Sequence, residues 1–350
     1  MRLWRLVAVA AVAITSCSQP SASHQVATTT ASPSAPATQS PVSSPTLTSS
    51  PSYPPDIHDL PLTTLTFSCR LPIYKTDATI VGSFIAFPSR EVTVDPSGYH
   101  GMYYDHAYSR WLPVRRSGVS PDGSHYAYVD YTQTDFVLHV VAVAGGKDVR
   151  VPLSSQAFNG QPLVFDYSSD GIYLENAFEH LLAGLWLVDP TTGSIRQVSR
   201  DIYPVFSGGN GIIWTQALNP ADSNPVETGT SLGTLANEID RVDLLTGAQT
   251  EWLYERGKGL TLMGLDRRGL PLIKSMQSWN ADPNAEMLLV AQPDSPTTIY
   301  KDVLVQGIGD GIADSHGTWL GGQFGIYLYT NSGALEKVSD HPGYPANGCF

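Results

Sequence analysis

A hairpin pattern that returns along most of the chain is the feature that most constrains the fold. From about residue 60 onward, a short apolar run, a Gly-bearing turn and a second apolar run recur. They read Val81-Gly82-Ser83-Phe84-Ile85-Ala86-Phe87, Val119-Ser120-Pro121-Asp122-Gly123-Ser124-His125-Tyr126-Ala127-Tyr128-Val129 and Tyr167-Ser168-Ser169-Asp170-Gly171-Ile172-Tyr173-Leu174. They continue as Phe206-Ser207-Gly208-Gly209-Asn210-Gly211-Ile212-Ile213-Trp214, Leu265-Asp266-Arg267-Arg268-Gly269-Leu270-Pro271-Leu272-Ile273 and Ala313-Asp314-Ser315-His316-Gly317-Thr318-Trp319-Leu320. The turn glycines, 82, 123, 171, 211, 269 and 317, are spaced 41, 48, 40, 58 and 48 apart. Asp-Gly and Asn-Gly at such points supply the positive φ of a tight hairpin. A single unit of this size cannot bury its own apolar face, so the units must stack on one another.

Each unit has a second half, clearest in Leu185-Trp186-Leu187-Val188-Asp189-Pro190-Thr191-Thr192-Gly193. Ile239-Asp240-Arg241-Val242-Asp243-Leu244-Leu245-Thr246-Gly247 and Ile326-Tyr327-Leu328-Tyr329-Thr330-Asn331-Ser332-Gly333 match it, as do residues 138–146. A short fourth strand follows at 194–198, 248–253 and 334–338. Four strands per unit at a period of about 40–50 residues predict an all-β chain folded as a single β-propeller of four-stranded antiparallel blades. Six units predict six blades, with a degenerate seventh around 59–78 as the alternative count. The terminal strands are expected to close the ring.

The run Ser120-Pro121-Asp122-Gly123-Ser124-His125-Tyr126-Ala127-Tyr128 resembles the SPDG-x-x-(Ile/Tyr)-Ala-(Phe/Tyr) core of WD40-like, TolB-type propeller repeats. The match is good in the second unit, partial in the third and a bare pattern in the rest. The Gly-His pair and terminal Trp-Asp of true WD40 repeats are absent from it. The resemblance implies the same architecture over residues 59–350.

The first residues read as an address rather than as structure. Arg2 and Arg5 precede an apolar run over 6–14 that is too short to span a bilayer. The run ends in Ile14-Thr15-Ser16-Cys17, which resembles the bacterial lipobox. That resemblance implies a lipoprotein signal peptide over 1–16, cleavage before Cys17, and acylation, including palmitate, of Cys17. Several acyl chains would anchor the protein stably to a membrane. Losing Arg2 and Arg5 would take the net charge from −12 to −14. An acidic chain of this kind lacks the basic footprint that nucleic acid requires.

Of the 41 residues 18–58, 30 are Ser, Thr, Pro or Ala, with one acidic residue, Asp56, and no Lys, Arg or Gly. Such a segment cannot bury enough apolar surface to offset its ordering entropy. Residues 17–58 are therefore expected to form a disordered tether, reaching up to about 125 Å at ~3.1 Å per residue of polyproline II. The expected location is extracytoplasmic, on a bacterial membrane facing the periplasm or the exterior, and the expected oligomeric state is monomeric.

With Cys17 committed to lipid, Cys69 and Cys349 remain, at opposite ends of the array. A ring brings those ends together and export permits a disulfide, so a Cys69–Cys349 bridge is expected; two free or buried thiols are the alternative.

The sequence contains no P-loop, His-Glu-x-x-His or Cys-x-x-Cys. No cofactor or metal is implied: His100, Asp105 and His106 read as scattered surface groups, and Asp122 and Asp170 as turn formers. Trp186, Trp214, Trp319, Tyr327 and Tyr329 fall in strand register and read as blade packing. The best lead is loop length. The connections between second and third strands in the third, fourth and fifth units are long, and they emerge on one face of a propeller. Within them Phe178, His180 and Trp279 have no core register and are the candidate ligand-binding residues. The expected function is a non-catalytic binding or scaffold module for a protein, peptide or glycan. The alternative is a propeller lyase or hydrolase acting on a carbohydrate or peptide through Arg115, Arg116, Asp166 and Asp310 on the inner strands.

Overall fold

The computed structural model describes residues 57–76, 80–131, 135–154, 158, 160–176, 184–200, 202, 204–209, 211–223, 226, 234–277, 285–301 and 308–350. Among them, strands and two short 3-10 turns are the regular elements. β1 (Cys69–Thr76), β2 (Ile80–Phe87) and β3 (Glu91–Tyr99) form an antiparallel meander. A two-stranded hairpin follows, β4 (Tyr103–Asp105) and β5 (Arg110–Leu112). β6 (His125–Tyr131), β7 (Phe136–Ala142) and β8 (Asp148–Leu153) form a three-stranded meander.

Four-stranded meanders then succeed one another. The first comprises β9 (Pro162–Ser168), β10 (Gly171–Asn176), β11 (Leu185–Val188) and β12 (Ile195–Ser199). The second comprises β13 (Pro204–Gly209), β14 (Ile212–Ala217), β15 (Glu238–Asp243) and β16 (Gln249–Tyr254). The third comprises β17 (Gly259–Leu265), β18 (Pro271–Met276), β19 (Glu286–Val290) and β20 (Pro296–Lys301). The fourth comprises β21 (Ile308–Ala313), β22 (Gly317–Gly322), β23 (Gly325–Thr330) and β24 (Leu335–Ser339). Last, β25 (Tyr344–Pro345) returns to pair with β1, which makes the opening meander four-stranded as well.

Two observations make this succession a closed β-propeller. The first is that every sheet buries both faces, each against a different neighbour. Leu138, Val140 and Val151 of β7–β8 pack on Ile172, Leu174 and Trp186. Phe165, Tyr173 and Leu185 pack on Ile213 and Val242, and Trp214 and Ile239 pack on Leu262, Ile273 and Leu288. Met263, Leu272 and Met287 pack on Leu320 and Tyr327, while Trp319, Ile326 and Leu328 pack back on Leu71, Ile73 and Ile85 of the opening sheet. The last wedge, between the opening sheet and β6–β8, is filled by the β4–β5 hairpin, with Trp111 against Phe84 and Leu112 against Val119 and Val143. The period-two alternation is visible within one strand: Trp319 serves one wedge and Leu320 the next.

The second observation is that the first strand of each sheet touches the first strand of the next, through β9, β13, β17, β21 and β25. In the β6–β8 sheet that strand is replaced by a 3-10 turn, Arg116–Gly118, and a single bridge from Val119 to Tyr126; the turn packs on β9. These elements form the inner wall. Where they approach most closely the wall is backbone: a Cβ on Gly264 would fall 2.8 Å from the Gly311 Cα, and one on Gly321 would fall 2.3 Å from the Gly343 carbonyl oxygen.

Closure is covalent. Cys69 and Cys349 are joined, with their Cα atoms 5.6 Å apart across 280 residues of sequence. Backbone bonds extend the same seam: the amide of Arg70 donates to the Phe350 carbonyl, the amide of Phe350 to the Arg70 carbonyl, and the amide of Ala346 to the Pro72 carbonyl.

The hairpins of the third to sixth units form where their turns were read. The turn aspartates accept the amide two residues on, as in Ser124 to Asp122, Thr191 to Asp189, Leu245 to Asp243, Arg268 to Asp266 and His316 to Asp314. Gly82 is a correction. It lies inside β2, where a Cβ would sit 2.5 Å from the Trp111 ring, so glycine is there for close approach and not for a turn. Residues 69–76 of the alternative seventh unit are β1 of the opening sheet.

Ile57 and His58, read as tether, belong to the folded unit. Ile57 is fully buried among Met263, Leu272 and Tyr327. The His58 ring lies 3.6 Å from that of Phe324. From there the chain bridges β24 at Leu62–Lys337 and inserts Leu65 in the next wedge. Residues 1–56, including the rest of the tether, Cys17 and the signal segment, lie outside the described residues.

Candidate functional site

Among the described side chains, the charge of the inner wall gathers around the 3-10 turn and β9. Arg115 is the residue that opens the 3-10 turn and Arg116 is its first residue. The amides of Gly118 and Val119 donate to the carbonyls of Arg115 and Arg116, 2.9 and 3.0 Å away, which fixes the backbone that carries both side chains. The Arg116 guanidinium donates to the Val119 carbonyl at 3.1 Å and lies 5.6 Å from the Tyr103 ring centroid. The Tyr103 hydroxyl in turn accepts from Asn347 at 2.9 Å. This contact spans the point where the ends of the wall meet, so the site sits beside the seam.

Two carboxylates that feel these charges come from the next sheet. Asp166, on β9, accepts a hydrogen bond from the Ser207 hydroxyl of β13 at 2.8 Å. Burial raises its pKa above the usual carboxylate range, against the opposing effects of the Ser207 bond and the Arg116 charge. Glu175, near the end of β10, is pushed up to about 7 by burial, opposed by the Arg115 charge. Among the described residues neither arginine forms an ion pair with either carboxylate. The group therefore holds a carboxyl able to exchange a proton near neutrality, a second carboxylate oriented by a hydroxyl, and two guanidinium groups with donors to spare.

The long connections open on the same end of the ring as Glu175, and their roots are built from buried polar groups. Asn176, at the root of the first, is buried. Asn237, fully buried at the root of the second, accepts from the Asn219 amide at 2.7 Å and donates to Asp222 at 2.8 Å; Asp222 also accepts from the Gly257 amide at 2.8 Å. Ser275, buried near the root of the third, donates a hydroxyl hydrogen bond to Glu255, which also pairs with Lys258 at 3.0 Å. Two further titratable groups belong to this end. Glu238, first in β15, is raised to about 7 by burial and then by the neighbouring Asp240. Lys274 of β18 is lowered to about 8 by burial.

Phe178, His180 and Trp279 lie outside the described residues, as does Cys17. Of the four inner-strand residues read for an enzyme, Arg115, Arg116 and Asp166 come together. Asp310 lies on β21, the first strand of a different sheet, and its side chain is outside the described residues. Glu175 and Ser207 were missed. The available signal for Glu175 was a charged residue in register with Tyr173, on a face that otherwise packs between sheets. Ser207 carried none, since a Ser beside two glycines reads as turn. The strand aromatics pack as expected: Trp214 donates to the Gly269 carbonyl of the next sheet at 3.1 Å, and Trp319 to Asp314 at 2.6 Å. His100 sits with its ring edge against Tyr99 and His106 against Phe350.

No family model matches the chain, and no curated protein matches it. Solved structures do. TolB from Acinetobacter baumannii is 12% identical, with 80% of this chain and 67% of that one covered, at a TM-score of 0.42. The β-propeller domain of the Trilobed protease from Pyrococcus furiosus is 10% identical, with 77% and 81% covered, at 0.41. A protein from Lactobacillus plantarum is 11% identical, with 81% and 100% covered, at 0.41.

Proposed function

We propose that this chain is a lipid-anchored, extracytoplasmic β-propeller of six blades that acts as a non-catalytic binding or scaffold module for a protein, peptide or glycan. The observation that carries the reading is the rooting of three consecutive long connections, at one end of the ring, on buried Asn176, Asn237 and Ser275. Rigid strands presenting long loops at one end are the usual construction of a recognition surface. The β4–β5 hairpin is then a wedge inserted between blades, and the disulfide keeps the surface from opening at the seam. In this reading the chain is cleaved before Cys17 and Cys17 is lipidated, residues 18–56 are the spacer, and the protein works as a monomer that binds no nucleic acid.

Two experiments test it. Cys17→Ser should move the protein from the membrane to the soluble fraction; a variant that stays with membranes after a high-salt wash removes the anchor from the proposal. Phe178→Ala with Trp279→Ala should abolish co-purification of a cross-linked partner while leaving the melting transition in place. Undiminished capture by that variant would overturn the loop-face reading.

One observation favours the second reading, a propeller enzyme: a half-buried Glu175, raised to about 7 by burial and feeling the Arg115 charge, has the character of a general acid–base. Turnover of a bound ligand that Glu175→Gln abolishes without loss of binding would establish it.

A further inference from the structure

We propose that Arg115 and Arg116 form a carboxylate-binding subsite on the inner wall, which takes an acidic group of the ligand held at the loop face. The inference deepens the binding reading above and rests on it for its context.

The geometry argues for unspent donors. A guanidinium offers five N–H groups in a planar fork that suits a carboxylate bidentately. Arg116 spends one of them, on the Val119 carbonyl, and Arg115 spends none among the described residues. Both side chains are exposed, and both leave a backbone pinned by the 3-10 turn. Their position is held from a second direction as well, because Arg116 stacks on Tyr103 and Tyr103 is bonded to Asn347.

The carboxylates nearby do not consume these donors. Asp166 is occupied by Ser207, and Glu175 acts on Arg115 by charge without contact. Burial also keeps Glu175 partly protonated near neutrality, so it cancels less than a full charge. Arg115 and Arg116 thus keep unspent donors among the carboxyl groups of Asp105, Asp166 and Glu175. A ligand carboxylate that accepts from these guanidinium groups is oriented as well as held.

The test is a titration of the full chain, labelled so that each arginine Nε–H is resolved by NMR, at constant ionic strength. The probes are N-acetylglycine, N-acetylglycinamide and galacturonate. The Arg115 and Arg116 signals should shift saturably with N-acetylglycine and not with its amide. Arg115→Gln and Arg116→Gln should each weaken that response at least ten-fold, whereas Arg196→Gln, an exposed arginine on β12, should not. Saturation by galacturonate alone would assign the acidic group to a uronate, and saturation by N-acetylglycine alone would assign it to a peptide; both outcomes support a carboxylate subsite. A linear, non-saturating shift shared equally by Arg115, Arg116 and Arg196, or equal response to acid and amide, would overturn it. Failure of the loop variants with a persistent Arg115 response would remove the recognition surface and leave the subsite standing.

Discussion

Replacing Glu175 by Gln should stabilise the propeller, and the gain should depend on pH in a way that identifies its cause. Burial lifts the folded-state pKa of Glu175 from 4.5 to about 7. Below pH 4.5 the side chain is neutral in both folded and unfolded chains and costs nothing by ionisation. Between pH 4.5 and 7 the unfolded chain releases a proton that the folded chain retains, so stability falls as pH rises through this window. Above about pH 7 the penalty is complete. At ~1.4 kcal/mol per pKa unit the shift corresponds to roughly 3 kcal/mol, an upper bound because the side chain keeps some contact with solvent. The glutamine side chain carries no charge, so the difference between variant and wild type should grow from near zero at pH 4.5 to a plateau of about 2–3 kcal/mol by pH 8. Glu238, which titrates in the same range, is common to both proteins and cancels in the difference. Urea unfolding at half-unit pH steps measures the curve. Arg115→Gln should move the midpoint of the rise to higher pH, because the Arg115 charge is what favours ionised Glu175. A gain that is flat across pH, or that declines above pH 6, would refute the assignment of the penalty to the half-buried Glu175 carboxylate.

Two further outcomes are expected. Cys69→Ser with Cys349→Ser should leave the strand order intact, because β1 still pairs with β25 and Arg70 with Phe350, yet lower the urea midpoint; the chain-entropy model puts the loss at up to about 5–6 kcal/mol for this loop, and an unchanged midpoint would show that the seam is held by its backbone bonds alone. Asn237→Ala should cost about 2–3 kcal/mol by leaving the Asn219 amide and the Asp222 carboxylate without their buried partner, and should accelerate amide exchange at Asn219 and Gly257 without doing so in β18; protection that survives at Asn219 would count against Asn237 as the root of that connection.

The fold was legible because its determinants are local and repeated. A turn aspartate and a glycine at positive φ recur as Asp189 with Gly193, Asp243 with Gly247 and Asp266 with Gly269, and each hairpin is set within a few residues. Gly82 misled for an equally physical reason. Glycine in a β-chain means either an unusual φ or the close approach of another group, and sequence alone does not separate the two. What approaches Gly82 is Trp111, almost thirty positions away in sequence. The entry of Ile57 into a wedge was illegible in the same sense: it depends on a gap between β17–β20 and β21–β24 that exists only once both sheets are in place. The Cys69–Cys349 bridge, by contrast, needed only a circular topology and a count of cysteines.

The charged site was half legible, and the division follows from how an inner wall is made. Where β17, β21 and β25 converge, glycines 264, 311, 321 and 343 let the strands approach until their backbones nearly touch. Among the described residues, that part of the wall presents mainly peptide groups. The other side has no such run: a 3-10 turn stands in for a strand, and β9 and β13 follow it with Asp166 and Ser207. A turn leaves consecutive residues free to project, which a strand does not, because neighbouring strand residues point to opposite faces. Arg115 and Arg116 can therefore share one site. The irregularity that breaks the repeat pattern in the β6–β8 sheet is thus also what concentrates charge at one place on the ring.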